Sequence, residues 1–270
     1  MLRFEASSKL RFGFSPCPND TFAFHALAHG LVEAPFGVEP VLLDIEELNR
    51  RARDGQLELT KLSFAAFAGV GDRYRLLASG AALGFGCGPL VVAREAISLA
   101  QAAAGPIAVP GLQTTAFLLL RRFAPALGEI VELRYDRILQ AIEEDDVTAG
   151  LIIHESRFSY AEHGLVRVCD LGELWEKETG LPVPLAGICA RSDLDADTRA
   201  AAEQAIRASV EYAFAHPAAS ADYVRQGAQE LSAEVRRAHI ELYVNELSID
   251  LGETGMRAIE SLLHEAPAGG

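Results

Sequence analysis

Short apolar runs, each stopped by turn residues and followed by a helical pattern, recur along this chain and restrict its fold more than any other feature. Leu10 to Phe14 alternates as a strand does, and the SPCPND segment breaks it. Asn19 or Asp20 can cap a helix through Thr21 to His29, which Gly30 ends. Val38 to Leu43 predicts a strand, Ile45 to Arg53 a helix, and Leu57 to Leu62 a strand, with an Ala/Phe-rich helix from about Ser63. Leu76 to Ala82 and Pro89 to Ala93 predict further strands around a flexible connection, GFGCG, at Gly84 to Gly88. The same grammar then restarts. Ile107 to Val109 predicts a strand, Pro110 and Gly111 a stop, and Thr114 to Phe123 a helix with a hydroxyl at its cap. Ile130 to Arg134 and Gly150 to Ile153 predict strands on either side of an Asp136 to Glu144 helix, and Val166 to Cys169 an edge strand. Leu181 to Arg191 reads as an extended return crossing. The chain is helical from Asp193 onward.

Strands alternating with helices predict an α/β architecture of mixed, mainly parallel sheets flanked by helices. Two such blocks predict two lobes with a ligand cleft between them. The large lobe is discontinuous, 1–94 plus 185–270, and the small one covers 95–184. Ligands of open α/β sheets sit at the carboxyl ends of strands. The loops of interest are therefore Ser15 to Asp20, Lys61 to Ser63, Pro110 to Thr115 and His154 to Ser156.

Half of the 270 residues are apolar, enough for a large core, and the formal net charge is −14. Such a charge argues against nucleic acid and against anionic membrane surfaces as partners. An anionic substrate has to be held by local donors. Four cysteines, Cys17, Cys87, Cys169 and Cys189, form no C-x-x-C pair, so neither a zinc site nor a disulfide framework is expected. The N-terminal stretch has no apolar h-region and no later stretch is long and apolar enough to span a bilayer, so a cytoplasmic protein is expected. The oligomeric state stays open, a homodimer included.

The candidate residues carry two readings each. His154 closes the apolar run LIIH, and imidazole is suited to taking a proton near neutral pH. The alternative is a histidine that hydrogen-bonds the next loop. Lys61 and Ser63, two apart on a strand, share a face and could offer charge and a hydroxyl to an acidic ligand. The alternative is a solvated lysine and a helix cap. Thr114 and Thr115 combine hydroxyls with the N–H groups and partial positive charge of a helix start, an anion site or an ordinary cap. Asn19 could orient a ligand, whereas Asp20 is most simply a cap. Cys17 reads as a structural thiol before a nucleophile. His25 and His29 lack the intervening Glu of a zinc protease helix, and GFGCG lacks the spacing of a dinucleotide fingerprint.

Taken together, SPCPNDTFAFHAL, LTKLS, PGLQTTAFLLL and GLIIHESRF, in this order along the full chain, resemble the 1,4-dihydroxy-6-naphthoate synthase family of the futalosine route to menaquinone. The resemblance implies a fold similar to type II periplasmic binding proteins in a cytoplasmic lyase. It implies cleavage of cyclic dehypoxanthine futalosine to 1,4-dihydroxy-6-naphthoate with release of a sugar-derived fragment. It implies general-base catalysis with no metal and no organic cofactor. His154 matches the family's proposed base, Ser63 the hydroxyl of its K-x-S motif, and Thr114 and Thr115 its Thr-Thr turn. Two alternatives are a chorismate dehydratase of the same pathway, against which SPCPNDTF and IIHE argue, and a non-catalytic binding protein for small anions.

Overall fold

The computed structural model describes residues 9–228 and 232–265. Its strands are β1 (Lys9–Phe14), β2 (Gly37–Leu42), β3 (Leu59–Ser63), β4 (Tyr74–Leu76), β5 (Ala82–Gly84), β6 (Leu90–Ala93), β7 (Ile107–Val109), β8 (Ile130–Glu132), β9 (Ala149–Ile152), β10 (Val166–Asp170) and β11 (Val183–Arg191). The helices used below are α1 (Pro18–Ala28), α2 (Ile45–Arg53), α3 (Phe64–Ala68), α4 (Leu99–Ala104), α5 (Thr115–Phe123), α6 (Ile138–Glu143), α7 (Ser156–Ser159), α8 (Leu171–Thr179) and α9 (Ala196–Ala215). The chain divides into two compact units, Met1–Gly84 with Pro184–Gly270, and Phe85–Val183.

The first unit holds a mixed sheet in the order β2-β1-β3-β11-β4, with β5 paired to β11. β1 runs parallel to β2 and β3, and β11 runs antiparallel to β3 and β4. Its core gathers Phe12, Phe14 and Phe24 with Ile188, Ile206 and Val210. The three phenylalanine rings meet edge-on or tilted, with centroids 4.9, 5.1 and 5.3 Å apart. Each such side chain taken from water contributes about 1.5–3 kcal/mol. Ser209 pins α9 to α1: its Oγ donates to the Ala23 carbonyl at 2.8 Å and accepts the Leu27 N–H at 3.1 Å.

In the second unit the sheet order is β10-β6-β9-β7-β8. β7 is parallel to β8 and β9, whereas β6 is antiparallel to both β9 and β10. Five features thereby reach one edge of this sheet: the ends of β7, β8, β9 and β10, and the start of β6. α6 lies against β9 at Gly150, where a Cβ would stand 2.4 Å from Ile138 Cγ2 and 2.8 Å from Ile142 Cδ1. Ile138, Ile142, Val92, Ala108 and Ile152 share the core that results.

Several local expectations change in the fold. The division between units falls after Gly84, not after Arg94, because Leu90–Ala93 pairs with β9 and β10. Leu76 to Ala82 is not one strand. Between β4 and β5 the chain turns aside to bond the C-terminal segment, with Ser79 Oγ on the Ile249 carbonyl at 2.7 Å and Gly80 N–H on that of Ser248 at 2.8 Å. The expected return crossing is β11, a nine-residue strand inside the first sheet. The expected helix at 136–144 begins as a 3-10 turn, Tyr135–Arg137, before α6. GFGCG is no loose connection at its second half. The Gly86 N–H donates to Glu176 at 2.7 Å, and Gly88 lies so close to Gly172 that a Cβ on it would come within 2.3 Å of the Gly172 Cα.

Candidate active site

In the first unit, α1 starts at Pro18, whose missing N–H costs nothing at that position. Its N-cap is Cys17, which makes no side-chain cap bond, so neither Asn19 nor Asp20 is the cap. Asp20 lies two residues further in, almost sealed from solvent, and turns back toward the end of β1. One carboxylate oxygen accepts the Ser15 N–H at 3.0 Å and the Ser15 hydroxyl at 2.7 Å. The other accepts the Asn19 amide at 2.8 Å and pairs with the Lys61 ammonium.

The Lys61 side chain comes from β3, every residue of which is buried. This lysine is not solvated. Its charge is compensated inside the protein, which removes most of the cost of burying it. Ser63, on the same strand face, meets a different partner. Its Oγ accepts from Asn49 Nδ2 at 3.1 Å, and its N–H donates to Asn49 Oδ1 at 3.0 Å. Ser63 is also the N-cap of α3, without a side-chain cap bond. Lys61 and Asn19 thus converge on Asp20, and Ser63 is tied to α2 through Asn49.

In the second unit, Thr114 is the N-cap of α5. Its hydroxyl accepts the Phe117 N–H at 3.1 Å and donates to the Gly111 carbonyl at 2.8 Å. Both hydrogen-bonding roles of that hydroxyl therefore serve the turn itself. Thr115 is the first helical residue and is buried. The nine-residue helix turns the partial positive charge of its first N–H groups toward the sheet edge that also carries the end of β9.

His154 follows β9 at that edge, half-buried, with Nε2 shielded from solvent. Its φ is +57°, and Asp145 is the other non-glycine residue with positive φ among the described residues. A non-glycine residue held there costs about 1–3 kcal/mol, strain that collects at functional sites. The Tyr135 ring stands edge-on to the imidazole with centroids 5.0 Å apart. The chain beyond β9 turns at once into α7, so His154 and Glu155 are not successive strand residues. Burial pushes the Glu155 carboxyl above the ordinary range, and Asp136 adds to that rise while a backbone hydrogen bond opposes it. Asp20, Tyr135 and Glu155 are the features that sequence reasoning did not assemble. Tyr135 carried no signal, since only the packing of the following helix, α6, on β9 brings it to His154.

Residues 10–268 match the family described as menaquinone biosynthesis. The chain belongs to that family. It is 56% identical to the 1,4-dihydroxy-6-naphthoate synthase of Thermus thermophilus, over 97% of this chain and 95% of that protein. The corresponding enzyme of Streptomyces coelicolor is 44% identical over 98% of this chain and 95% of its own length. A crystal structure of a protein from Archaeoglobus fulgidus, 37% identical, superposes with a TM-score of 0.91 and covers 96% of this chain and 97% of that one. The periplasmic aliphatic sulphonate binding protein of Escherichia coli superposes with a TM-score of 0.67 over 95% of this chain and 86% of its own. At 14% identity that likeness shows the fold alone, and the fold is that of periplasmic binding proteins. Among the described residues, no group of three or more His, Cys, Asp or Glu side chains could hold a metal ion. No described helix is long and apolar enough to cross a membrane.

Proposed function

We propose that this chain is a 1,4-dihydroxy-6-naphthoate synthase, a lyase of menaquinone biosynthesis that cleaves cyclic dehypoxanthine futalosine. The observation that carries the reading is its identity, 56% and 44%, to two proteins of that name across nearly the whole of each chain. The site chemistry is in keeping with it. His154 removes the proton that starts ring opening, the sugar-derived fragment departs, and formation of an aromatic ring supplies driving force. A well-placed general base contributes about 10²–10⁴-fold in rate. The strained turn and the edge-on Tyr135 ring hold the imidazole in one orientation, and such positioning supplies further rate.

Thr114 and Thr115 anchor the substrate mainly through the helix-start N–H groups, because the Thr114 hydroxyl is already committed at both ends. The proposal also assigns substrate-binding roles to Lys61, Ser63 and Asn19, with Asp20 fixing the position of the lysine. The reading also includes a cytoplasmic location and a reaction that needs no metal or organic cofactor.

Incubating the purified protein separately with cyclic dehypoxanthine futalosine and with chorismate tests the assignment. Appearance of 1,4-dihydroxy-6-naphthoate from the first and no change in the second are expected. Dehydration of chorismate, or binding of either compound without turnover, would defeat it.

A further inference from the structure

We propose that Arg157 is the positioning residue of this site, holding the left-handed turn in which His154 sits; this rests on the reading of His154 as the base. α7 is a single turn, its N-cap Glu155 makes no side-chain cap bond, and a helix so short does not hold itself in water. The structure shows what holds it. The Arg157 guanidinium reaches back to the start of β6, where one nitrogen donates to the Gly88 carbonyl. Its other terminal nitrogen donates to the Gly86 carbonyl at 2.9 Å and to Asp170 Oδ2 at 2.7 Å.

These acceptors are themselves held by bonds and close packing. Asp170 is nearly sealed from solvent and caps α8, its Oδ1 accepting the Gly172 and Glu173 N–H groups at 2.9 and 3.1 Å. Gly88 lies against Gly172 with no room for a side chain on either residue. All the parts stand at the edge of the sheet where β9 ends, since Leu90 pairs with both Ile152 and Asp170. The Arg157 N–H also points at the His154 carbonyl, at 3.4 Å. One planar fork thus ties the turn after β9 to the two segments beside it. A lysine, with a single point of charge, cannot span three acceptors in this way.

Arg157→Gln and Arg157→Lys, each alone and each combined with His154→Asn, test the proposal. Far-UV circular dichroism and thermal unfolding identify the variants that fold, and Arg157→Lys keeps a charge beside Asp170 if the glutamine variant does not. In the wild-type background kcat falls about 10²-fold, the scale of a small misplacement of a reacting group, with KM little changed. In the His154→Asn background the same substitution adds almost nothing, because it acts through a residue already removed. Equal losses in the two backgrounds would overturn the proposal. A readout that does not depend on His154 being the base is the NMR signal of its imidazole, shifted by the Tyr135 ring in the wild type and displaced or broadened in the Arg157 variants. An unchanged signal would refute the clamp. Full activity of His154→Asn with a displaced signal would instead defeat the assignment of the base and leave the clamp standing.

Discussion

Asp20 and His154 show how much a single residue can be asked to do. Asp20 accepts from Ser15 twice, from Asn19 and from Lys61. Replacing it with Asn leaves the Lys61 ammonium buried beside a neutral group, and an uncompensated buried charge costs about 3–5 kcal/mol. Asp20→Asn should therefore lower stability by that order in urea titrations. Asp20→Leu combined with Lys61→Met should recover much of the loss, because both charges have gone. A double variant no more stable than the single would show that the ion pair is not what Asp20 provides. At His154 the expectation is kinetic. His154→Asn keeps a polar side chain, and one tolerant of positive φ, but removes the base. Turnover should fall by at least about 10²-fold while substrate binding, measured by calorimetry, changes far less. A single-turnover rate equal to the wild type would make His154 a structural residue and send the search for a base to Asp20 or Cys17.

At the scale of elements, the site depends on how closely helices approach strands. α6 contacts β9 at Gly150, the strand that delivers His154. A methyl group there meets two isoleucine side chains inside ordinary contact distance, and overpacking of this kind costs about 1–3 kcal/mol. Gly150→Ala should lower the midpoint of thermal unfolding and also reduce kcat, since β9 and the turn beyond it must shift together. Combining it with Ile142→Val, which removes the Cδ1 methyl 2.8 Å from the new one, should restore part of both. Lost stability with kcat untouched would show that the turn at His154 is set independently of β9.

Both units bury acids that must stay neutral. In the first, Tyr74 donates its hydroxyl to the Leu57 carbonyl at 2.8 Å, and burial raises its pKa from 10.0 to about 12. In the second, burial raises that of Cys87 from 9.0 to about 12. A folded-state value above the unfolded one favours the folded protein fully at pH values below the unfolded value. That contribution is lost as the pH rises through the folded value. Stability should accordingly fall from about pH 9, where unfolded Cys87 is half-ionised, to about pH 12. The Tyr74 share is about 2–3 kcal/mol, the equivalent of its displacement. Tyr74→Phe, measured by denaturant titration at pH 8, 10 and 11.5, should flatten the upper part of that decline. A slope identical to the wild type would mean that the phenol ionises in place. Glu58, held down by its bonds to Arg11 against the opposing effect of burial, acts in the other direction. Its contribution is present above the ordinary glutamate range and lost in acid as the pH falls through its folded value.

The succession of strands and helices was legible from the chain because capping, turn formation and alternation are local. Ile107–Val109, the stop at Pro110 and Gly111, and the Thr114 cap need nothing beyond a few neighbouring residues. The same holds for the apolar strand that His154 follows. What the sequence determined by itself was therefore the α/β class, the positions of the loops and, through four motifs, the family. Tertiary structure alone decided what surrounds those loops. Lys61 is buried because Asp20, forty-one positions away, faces it; the return crossing is a strand because β3 and β4 stand on either side of it. GFGCG is fastened because Arg157, Glu176 and Gly172 close on it from later in the chain. The left-handed turn at His154 is likewise absent from any local signal, since histidine prefers other backbone angles. Helix and strand propensities amount to about 1 kcal/mol per residue or less, whereas a buried charge pair or a core contact involves several. Where the two conflict, the distant partner wins, and the chain near it does not record which partner that is.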